Sequence, residues 1–369
     1  MNGIFEYDQA KALVSAGHEI IYLAVDLRSL RRRRKWGYES LRRDKISIEA
    51  INFPCGRIPK KILQRIGKYC LRGLFQRTIQ KYGMPDIVHS HFIGLGFLSA
   101  KVLGGKGIPL VHTEHYSGMH STSLSKNYKK MGEQTFDSMN EVIAVSQSLA
   151  NSINDNFRVE AKVVPNVIDI ETFFNPKRKY KEASKEYVFI SVGNLMPIKR
   201  MDLLIESFEL AFRNDRDVSL LIYGEGPERG KIESLIDNLS MQTQIHLMGY
   251  ASREMIAEKM TESDSFVLAS ECETFGVVFV EAMAAGLPVI ATKCGGPEDF
   301  VNDLNGILVD ANNIEVLSNA LVQMRHSVKK FDRNAVSTDA RDRFAPNSIA
   351  QQLDIIYSEC LNKHHRQKN

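Results

Sequence analysis

Short runs of apolar residues alternate with longer amphipathic segments along this chain of 369 residues. Short runs rich in branched residues are typical of buried strands, whereas apolar residues spaced three or four apart predict helices. In the first half the expected strands are 18–25, 86–92, 109–115 and 141–146. In the second half they are 187–193, 219–224, 244–249, 265–270 and 288–292. Strands that alternate with helices predict parallel sheets with helices on both faces.

The two alternations are joined by a polar stretch rich in Lys and Asn near 166–185, and the chain length also suggests two domains. We therefore predict an α/β protein with two doubly wound domains, 1–168 and 169–345. Residues 346–369 are expected to form a helix and tail that return to the first domain. No strand precedes the first helical pattern, so we expect the first domain to lack its first strand.

Charge is distributed unevenly, although the formal net charge is only +4. Lys and Arg are in excess in the first half, and Asp and Glu in the second. No acidic residue lies between Glu49 and Asp86, where the basic residues are Arg57, Lys60, Lys61, Arg65, Lys68, Arg72, Arg77 and Lys81. Interleaved apolar residues predict a basic amphipathic helix, whose apolar face either packs on the sheet or meets lipid.

In both cases the cations of segment 57–81 stay exposed, so an anionic membrane surface is the expected partner. Nucleic acid is not expected, because the segment has no interleaved aromatic residues and resembles no nucleic-acid-binding module.

The cysteines and the longest apolar run indicate in which cellular compartment the protein is expected. The five cysteines form no CxxC pair, which favours a reducing compartment. The longest apolar run, 275–292, contains Glu281, Gly286 and Pro288, so it is not a membrane span. We expect a cytoplasmic protein, with a peripheral position on the inner membrane face as a further expectation.

The stretch 269–298 carries the most chemical information. A strand leads into a loop with Glu273, Phe275 and Gly276, after which a helix containing Glu281 is expected. The first turn of a helix exposes unpaired N–H groups and the positive end of its dipole, which suit a phosphate group. The two carboxylates cannot share one face of the helix. They are therefore expected to contact different parts of one long ligand.

A second loop, 191–208, follows the strand that ends at Gly193 and places Lys199 just before an amphipathic helix. In an arbitrary protein such a lysine is usually a solvated surface residue. Beside a phosphate site it supplies the positive charge that a diphosphate leaving group needs.

The glycines Gly224, Gly226 and Gly230 invite comparison with a dinucleotide-binding loop. Their spacing differs from GxGxxG, and no acidic ribose ligand follows at the required distance. We interpret this segment as a plain turn from strand to helix.

Four motifs in this order resemble the donor domain of the retaining glycosyltransferase family 4, which has the GT-B fold. They are Gly193-Asn194-Leu195 with Lys199, YGEGPE at 223–228, Glu273-x7-Glu281, and CGGPE at 294–298. Segments 3–20, 86–92, 109–118, 144–150 and 163–173 resemble the family's first domain, so the likeness covers nearly the whole chain. It implies two Rossmann-like domains that face each other across a cleft.

The resemblance also implies roles. Glu281 would hydrogen-bond the donor ribose, Glu273 would face the transferred sugar, and Lys199 would hold the diphosphate. The backbone at Phe275 and Gly276 would contact sugar and phosphate.

In the first domain, His115 matches the family's histidine that faces the transferred sugar, whereas His112 is interpreted as a packed strand residue. Further donor contacts are expected at Gly3, Asn194, Tyr250 and Thr274. Many relatives have an arginine in place of Asn194, so this chain has one positive charge fewer at the diphosphate.

We therefore expect a hexosyltransferase that moves a sugar, with retention, from a nucleotide-diphosphate sugar to a lipid-linked or polysaccharide acceptor. UDP is the first choice of nucleotide. Attack from the front face through an oxocarbenium-like state needs neither a metal nor a cofactor, and no His/Asp cluster has metal-ligand spacing. One alternative is a non-catalytic subunit that binds nucleotide sugars. A GT-B phosphorylase or epimerase is another, but no residue pattern favours either.

Overall fold

The computed structural model describes residues 4–27, 36–53, 55–56, 58–121, 123–174 and 186–368. The chain forms two compact units: unit 1 comprises residues 1–167 and 346–369, and unit 2 comprises residues 168–345. Gly3, an expected donor contact, lies outside the described residues. Within the described segments, no helix is both long and apolar enough to cross a bilayer.

Unit 1 contains two sheets and the helices that pack on them. Its helices are α1 (Ile4–Ser15), α2 (Lys60–Tyr82), α3 (Phe92–Leu103), α4 (Lys126–Phe136), α5 (Gln147–Phe157) and the chain-terminal α13 (Pro346–Lys368). Its strands are β1 (Ile21–Asp26), β2 (Gly37–Arg43), β3 (Ile46–Asn52), β4 (Val88–His91), β5 (Leu110–Glu114), β6 (Glu141–Ala144) and β7 (Lys162–Val163). Strands β4, β5, β6 and β7 form a parallel sheet in that order.

The C-terminal helix α13 belongs to unit 1 because its apolar face completes that unit's core. Leu13 of α1 packs in one cluster with Ile349 and Leu353 of α13 and with Val111 of β5. Burying these branched side chains removes apolar surface from water and holds both ends of the chain in one unit.

The second sheet of unit 1 has the order β1-β3-β2, and its strand β2 is antiparallel to β3. The expectation of parallel strands only is therefore wrong for this sheet. Asp44 and Lys45 connect the two strands with φ of 51° and 62°, the positive values that a two-residue type I′ turn requires. The sequence pattern did not predict this hairpin, because β2 is exposed along its length and the turn contains no glycine.

Helix α2 confirms the basic amphipathic pattern. Leu71 and Phe75 pack in a buried cluster with Leu98 of α3 and Leu110 of β5. Lys61 and Arg65 are exposed on the helix surface. The apolar face thus packs within unit 1, and the cationic face remains in water.

Unit 2 has one sheet of six parallel strands in the order β10-β9-β8-β11-β12-β13. The strands are β8 (Tyr187–Val192), β9 (Val218–Tyr223), β10 (Ile245–Gly249), β11 (Ser265–Leu268), β12 (Val289–Thr292) and β13 (Gly306–Val309). The helices are α6 (Ile170–Phe173), α7 (Met201–Phe212), α8 (Arg229–Asn238), α9 (Arg253–Glu262), α10 (Val277–Ala284), α11 (Ile314–Ser327) and α12 (Arg333–Phe344). All five expected strands are present, and the short β13 is additional.

The order of these strands decides where a ligand can bind. The sheet grows in one direction from β8 through β9 to β10, and in the other from β11 through β12 to β13. Strands β8 and β11 are therefore neighbours, and the loops after them diverge at the point where the winding reverses. In open parallel sheets the ligand crevice lies at this reversal point, beyond the carboxyl ends of the strands.

A buried carboxylate holds the β2-β3 hairpin on α2. Glu49 of β3 is only 1% exposed and accepts hydrogen bonds from Tyr38, from Lys81 Nζ at 2.9 Å and from Tyr82 Oη at 2.7 Å. Burial alone would raise the pKa of Glu49, but the hydrogen bonds to its charged form outweigh burial and lower the pKa to about 2.

We expect Glu49→Gln to lower the free energy of unfolding at pH 7 by about 2 kcal/mol, because the hydrogen bonds to a charged acceptor are lost. A depressed pKa contributes stability above the unfolded-state value of 4.5 and loses it as the pH falls toward 2. The gap between wild type and variant in urea unfolding should therefore close over that interval. Glu39→Gln on β2 serves as the control, and a gap that stays constant with pH would contradict this assignment.

Candidate active site

Backbone hydrogen bonds tie together the loops that leave the carboxyl edge of the unit 2 sheet. Gly193 N donates to Tyr223 O at 3.0 Å, and Gly224 N donates to Gly249 O at 2.8 Å. On the other side of the reversal point, Glu271 N donates to Ile198 O at 2.9 Å. The loops after β8, β9, β10 and β11 therefore form one continuous rim, as the strand pattern predicts.

Two glycines allow the loops after β8 and β9 to touch. A Cβ atom on Gly224 would lie 1.9 Å from Gly193 O, and Gly224 has φ of +146°. A Cβ atom on Gly226 would lie 2.3 Å from Leu195 O. These glycines belong to the turn that joins β9 to α8, so close backbone packing accounts for them.

Lys199 and Glu273 meet at the reversal point. Lys199 Nζ lies 2.5 Å from Glu273 Oε1, which also accepts a hydrogen bond from Ser270 Oγ at 2.7 Å. The side chains are 21% and 11% exposed, respectively. Two residues that lie 74 positions apart in the chain thus form one partly buried ion pair at the edge of the sheet.

The loop that carries Glu273 is fixed by its neighbour. Glu273 N donates to Cys294 O at 2.9 Å, and Gly296 N donates back to Glu273 O at 2.8 Å. Phe275 is 2% exposed and packs against Phe300 and Phe344, with ring centroids 5.4 and 5.7 Å apart. The Phe275 side chain anchors the loop in the core and leaves the backbone of this segment at the sheet edge.

Helix α10 begins directly after this loop. Gly276 is its N-cap residue, with φ of +89°, and no side chain caps the helix. A Cβ atom at this position would meet the Phe279 ring at 2.9 Å. Phe279 N donates to Gly276 O at 3.0 Å, and the N–H groups that precede it in the first turn of α10 suit an anion.

Glu281 lies one helical turn further along α10 and is also paired with a cation. Arg253 Nη2 lies 2.6 Å from Glu281 Oε1. The sequence did not indicate Arg253 as a site residue, because it belongs to no motif and follows the N-cap residue of α9. Only the packing of α9 beside α10 brings this guanidinium to the carboxylate.

The other expected donor contacts of unit 2 lie in the same loops. Asn194 is exposed after β8, Thr274 lies between Glu273 and the buried Phe275, and Tyr250 follows Gly249 with 72% of its surface exposed. None of these three positions adds a positive charge.

Arg200, next to Lys199, does not replace the arginine that many relatives have at position 194. Its guanidinium is bound to Asp202, with Nε 3.1 Å from Oδ1, and to Asn312.

The two cysteines beside Glu273 do not provide a nucleophile. Burial raises the pKa of Cys272, and it raises the pKa of Cys294 to about 12. Both thiols are therefore protonated at neutral pH, and a protonated thiol is a poor nucleophile.

In unit 1, His115 follows β5 and is buried among aromatic rings. The ring of Phe92 lies 5.0 Å from the His115 ring, and His91 Nδ1 lies 3.0 Å from His115 Nε2. Burial lowers the pKa of His115 to about 4, although the charge of Glu114 opposes this shift. The ring is neutral at pH 7, so it can exchange hydrogen bonds with an uncharged hydroxyl group.

His112 has the structural role that the sequence suggested. It is fully buried in β5, with Nδ1 3.0 Å from Ser90 Oγ and Nε2 3.4 Å from Glu114 Oε2. These contacts satisfy both ring nitrogens inside the unit.

The chain matches two known family models. Residues 5–172 match the family model described as Glycosyltransferase Family 4, and residues 173–341 match the model described as Glycosyl transferases group 1. This chain belongs to glycosyltransferase family 4. It is an enzyme that uses a nucleotide-diphosphate sugar, and the alternative of a non-catalytic binding subunit is thereby set aside.

Relatives of this transferase are named for different products. It is 27% identical to the N-acetyl-alpha-D-glucosaminyl L-malate synthase of Bacillus anthracis over 75% of each chain. It is 24% identical to the alpha-monoglucosyldiacylglycerol synthase of Acholeplasma laidlawii over 86% of each chain.

Solved structures share the GT-B fold of this transferase. The Anabaena protein Alr3699/HepE in complex with UDP-glucose is similar at a TM-score of 0.69 and 20% identity. The match covers 92% of this chain and all of that one.

Gly296 tests how tightly the candidate site loop is packed. A Cβ atom at this position would lie 2.3 Å from Phe275 O and 2.4 Å from Phe275 Cα, so Gly296→Ala must separate two backbone segments. We expect the variant to lose about 1–3 kcal/mol of unfolding free energy, measured by urea titration. Gly230→Ala on α8 meets nothing within 4 Å and should not destabilise the protein. Equal stability of the two variants would contradict the tight contact.

Proposed function

We propose that this transferase moves a hexose from a UDP-sugar, with retention of the anomeric configuration, to a lipid-linked or glycan acceptor. The observation that carries the proposal is the Lys199–Glu273 ion pair at the reversal point of the sheet, next to the uncapped start of α10. A diphosphate needs positive charge and N–H donors, and this edge of unit 2 offers both.

The donor is proposed to extend along the rim of unit 2. Its diphosphate takes hydrogen bonds from Lys199 and from the backbone at Phe275 and Gly276. The carboxylate of Glu273 accepts from hydroxyls of the transferred sugar, and that of Glu281 accepts from the ribose. Ionised carboxylates accept hydrogen bonds only, which suits them to hydroxyl groups.

Leaving-group stabilisation is the proposed source of catalysis. As the bond between the anomeric carbon and the diphosphate oxygen breaks, negative charge grows on that oxygen, and Lys199 and the α10 N-terminus stabilise it. The acceptor hydroxyl attacks from the same face through an oxocarbenium-like state, and its proton passes to the departing phosphate. The neutral ring of His115 is proposed to hydrogen-bond the transferred sugar and to orient it.

No metal or cofactor is required in this proposal. The ammonium group of Lys199 and the helix N-terminus supply the positive charge that a bound cation would otherwise bring to the diphosphate.

The choice of UDP and of the sugar rests on relatives. The structural neighbour named above was solved with UDP-glucose, and the two curated relatives are named for glucosyl and N-acetylglucosaminyl transfer. We therefore take UDP-glucose and UDP-N-acetylglucosamine as the first donors to test.

We expect Lys199→Ala to lower the rate of UDP release from the active donor by about 100-fold to 1,000-fold, because one preorganised positive group at the leaving oxygen is removed. Glu273→Ala should also lower the rate of UDP release strongly. UDP release is measured directly by chromatography of the reaction mixture in the presence of EDTA, in which wild type should keep its full rate.

The matched control is Lys231→Ala, since this exposed lysine of α8 is paired with Glu228. Its rate should equal that of wild type. If UDP neither stabilises wild type in thermal unfolding nor is released from any UDP-sugar, the proposed donor class is wrong.

An anionic membrane surface is the proposed second partner. Lys61, Arg65, Lys68 and Arg72 follow the spacing of one helix face on α2, and no carboxylate pairs with them among the described residues. The diacylglycerol-linked product of one curated relative supports a lipid acceptor at such a surface. Five free cysteines support a reducing, cytoplasmic location for the reaction.

Each cation near an anionic membrane contributes about 1 kcal/mol, so replacing these four α2 residues by alanine should weaken binding to phosphatidylserine vesicles by roughly 100-fold to 1,000-fold. Vesicle sedimentation measures the binding, and phosphatidylcholine vesicles should bind neither protein. The control replaces Lys231, Lys293, Lys329 and Lys330 of unit 2 and removes the same charge. Equal losses in both variants would mean that net charge, rather than α2, drives binding.

A further inference from the structure

Glu281 does not stand alone on α10, because Arg253 connects it to a second helix. The Arg253 guanidinium reaches Glu281 Oε1 at 2.6 Å and has Asp169 Oδ2 at 3.8 Å on its other side. The same guanidinium lies over the Phe173 ring, 5.7 Å from its centroid. Three helices, α6, α9 and α10, thus converge on one arginine.

These contacts fix the orientation of the Arg253 guanidinium group. Asp169 is the N-cap residue of α6, where its Oδ2 accepts from Thr172 Oγ1 at 2.8 Å. A planar guanidinium between a ring and two carboxylates loses little further freedom when it forms a bond. The Arg253, Glu281 and Asp169 side chains are 28%, 12% and 29% exposed, so the contacts are partly shielded from water.

The proposed function places an uncharged ribose beside Glu281 and a diphosphate a few residues away, at the start of the same helix. A single unpaired carboxylate there would repel the diphosphate through a partly buried, low-dielectric region. A carboxylate has about four lone-pair positions, so Glu281 can accept from ribose hydroxyls while it holds Arg253. The ion pair therefore allows Glu281 to serve as an acceptor without leaving a net negative charge in the site.

We propose that Arg253 is a positioning residue for the donor nucleotide: it orients the Glu281 carboxylate for the ribose hydroxyls and balances its charge. This inference rests on the proposed function, since it assumes that a nucleotide ribose binds at Glu281. The inference adds Arg253, from α9, to the proposed donor site. Arg253 would then help the site to distinguish a ribose from a deoxyribose.

The test compares the binding of UDP and 2′-deoxy-UDP to the full-length protein by calorimetry. A hydrogen bond between a hydroxyl and a charged acceptor makes a difference of about 10-fold to 100-fold, so wild type should prefer UDP by that factor. In Arg253→Met the preference should fall below about threefold, mainly through weaker binding of UDP. Arg253→Lys keeps the charge and should recover most of the preference. If the methionine variant does not fold, Arg253→Gln, which keeps a polar group but removes the charge, should show the same loss of preference.

Lys259→Met is the matched control, because this lysine lies on the same helix and pairs with Glu262 away from Glu281. It should leave the preference unchanged. If Arg253→Met lowers the affinities for UDP and 2′-deoxy-UDP equally, or keeps the wild-type preference, Arg253 is only a structural link between helices. If wild type binds neither nucleotide, the proposed donor site fails, whatever the role of Arg253.

Discussion

The contact between Lys199 and Glu273 joins the two loops that leave the middle of the unit 2 sheet. It depends on the order of the strands, because β8 and β11 are neighbours only where the winding of the sheet reverses. Glu273 is held at the same time by backbone bonds to the segment after β12, and the start of α10 follows it directly. The position of the uncapped helix terminus is thus a consequence of how this one carboxylate is fixed.

Charge balance is the second feature of the proposed donor site. Each of the two carboxylates is matched by a cation, Glu273 by Lys199 and Glu281 by Arg253. If the diphosphate binds at α10 as proposed, it meets the positive end of a helix without net repulsion from the glutamates. In this proposal the charge balance compensates for Asn194, which stands where many relatives have an arginine.

Unit 1 has a different electrostatic character. Desolvation lowers the pKa of His89 in β4 to about 3 and the pKa of His115 after β5 to about 4, so both rings are neutral at pH 7. The exposed cations of α2 lie on the outer face of that helix, while its apolar face packs in the core of the unit. Unit 1 thus combines neutral histidines near β4 and β5 with a basic surface on α2.

From the sequence alone the unit 2 strands could be predicted, because buried parallel strands are continuous apolar runs. Local motifs also predicted that Lys199 and Glu273 follow two of these strands and that Glu281 lies in the next helix, as the structure has them. The sequence also determined the amphipathic character of α2. It did not reveal the β2-β3 hairpin, because an exposed strand lacks the apolar alternation that would mark it and its turn has no glycine. Nor did it indicate Arg253 or the partners of Glu49. Those contacts follow from the packing of the folded chain, because they join side chains far apart in the sequence, and spacing along a chain does not encode which helices pack together.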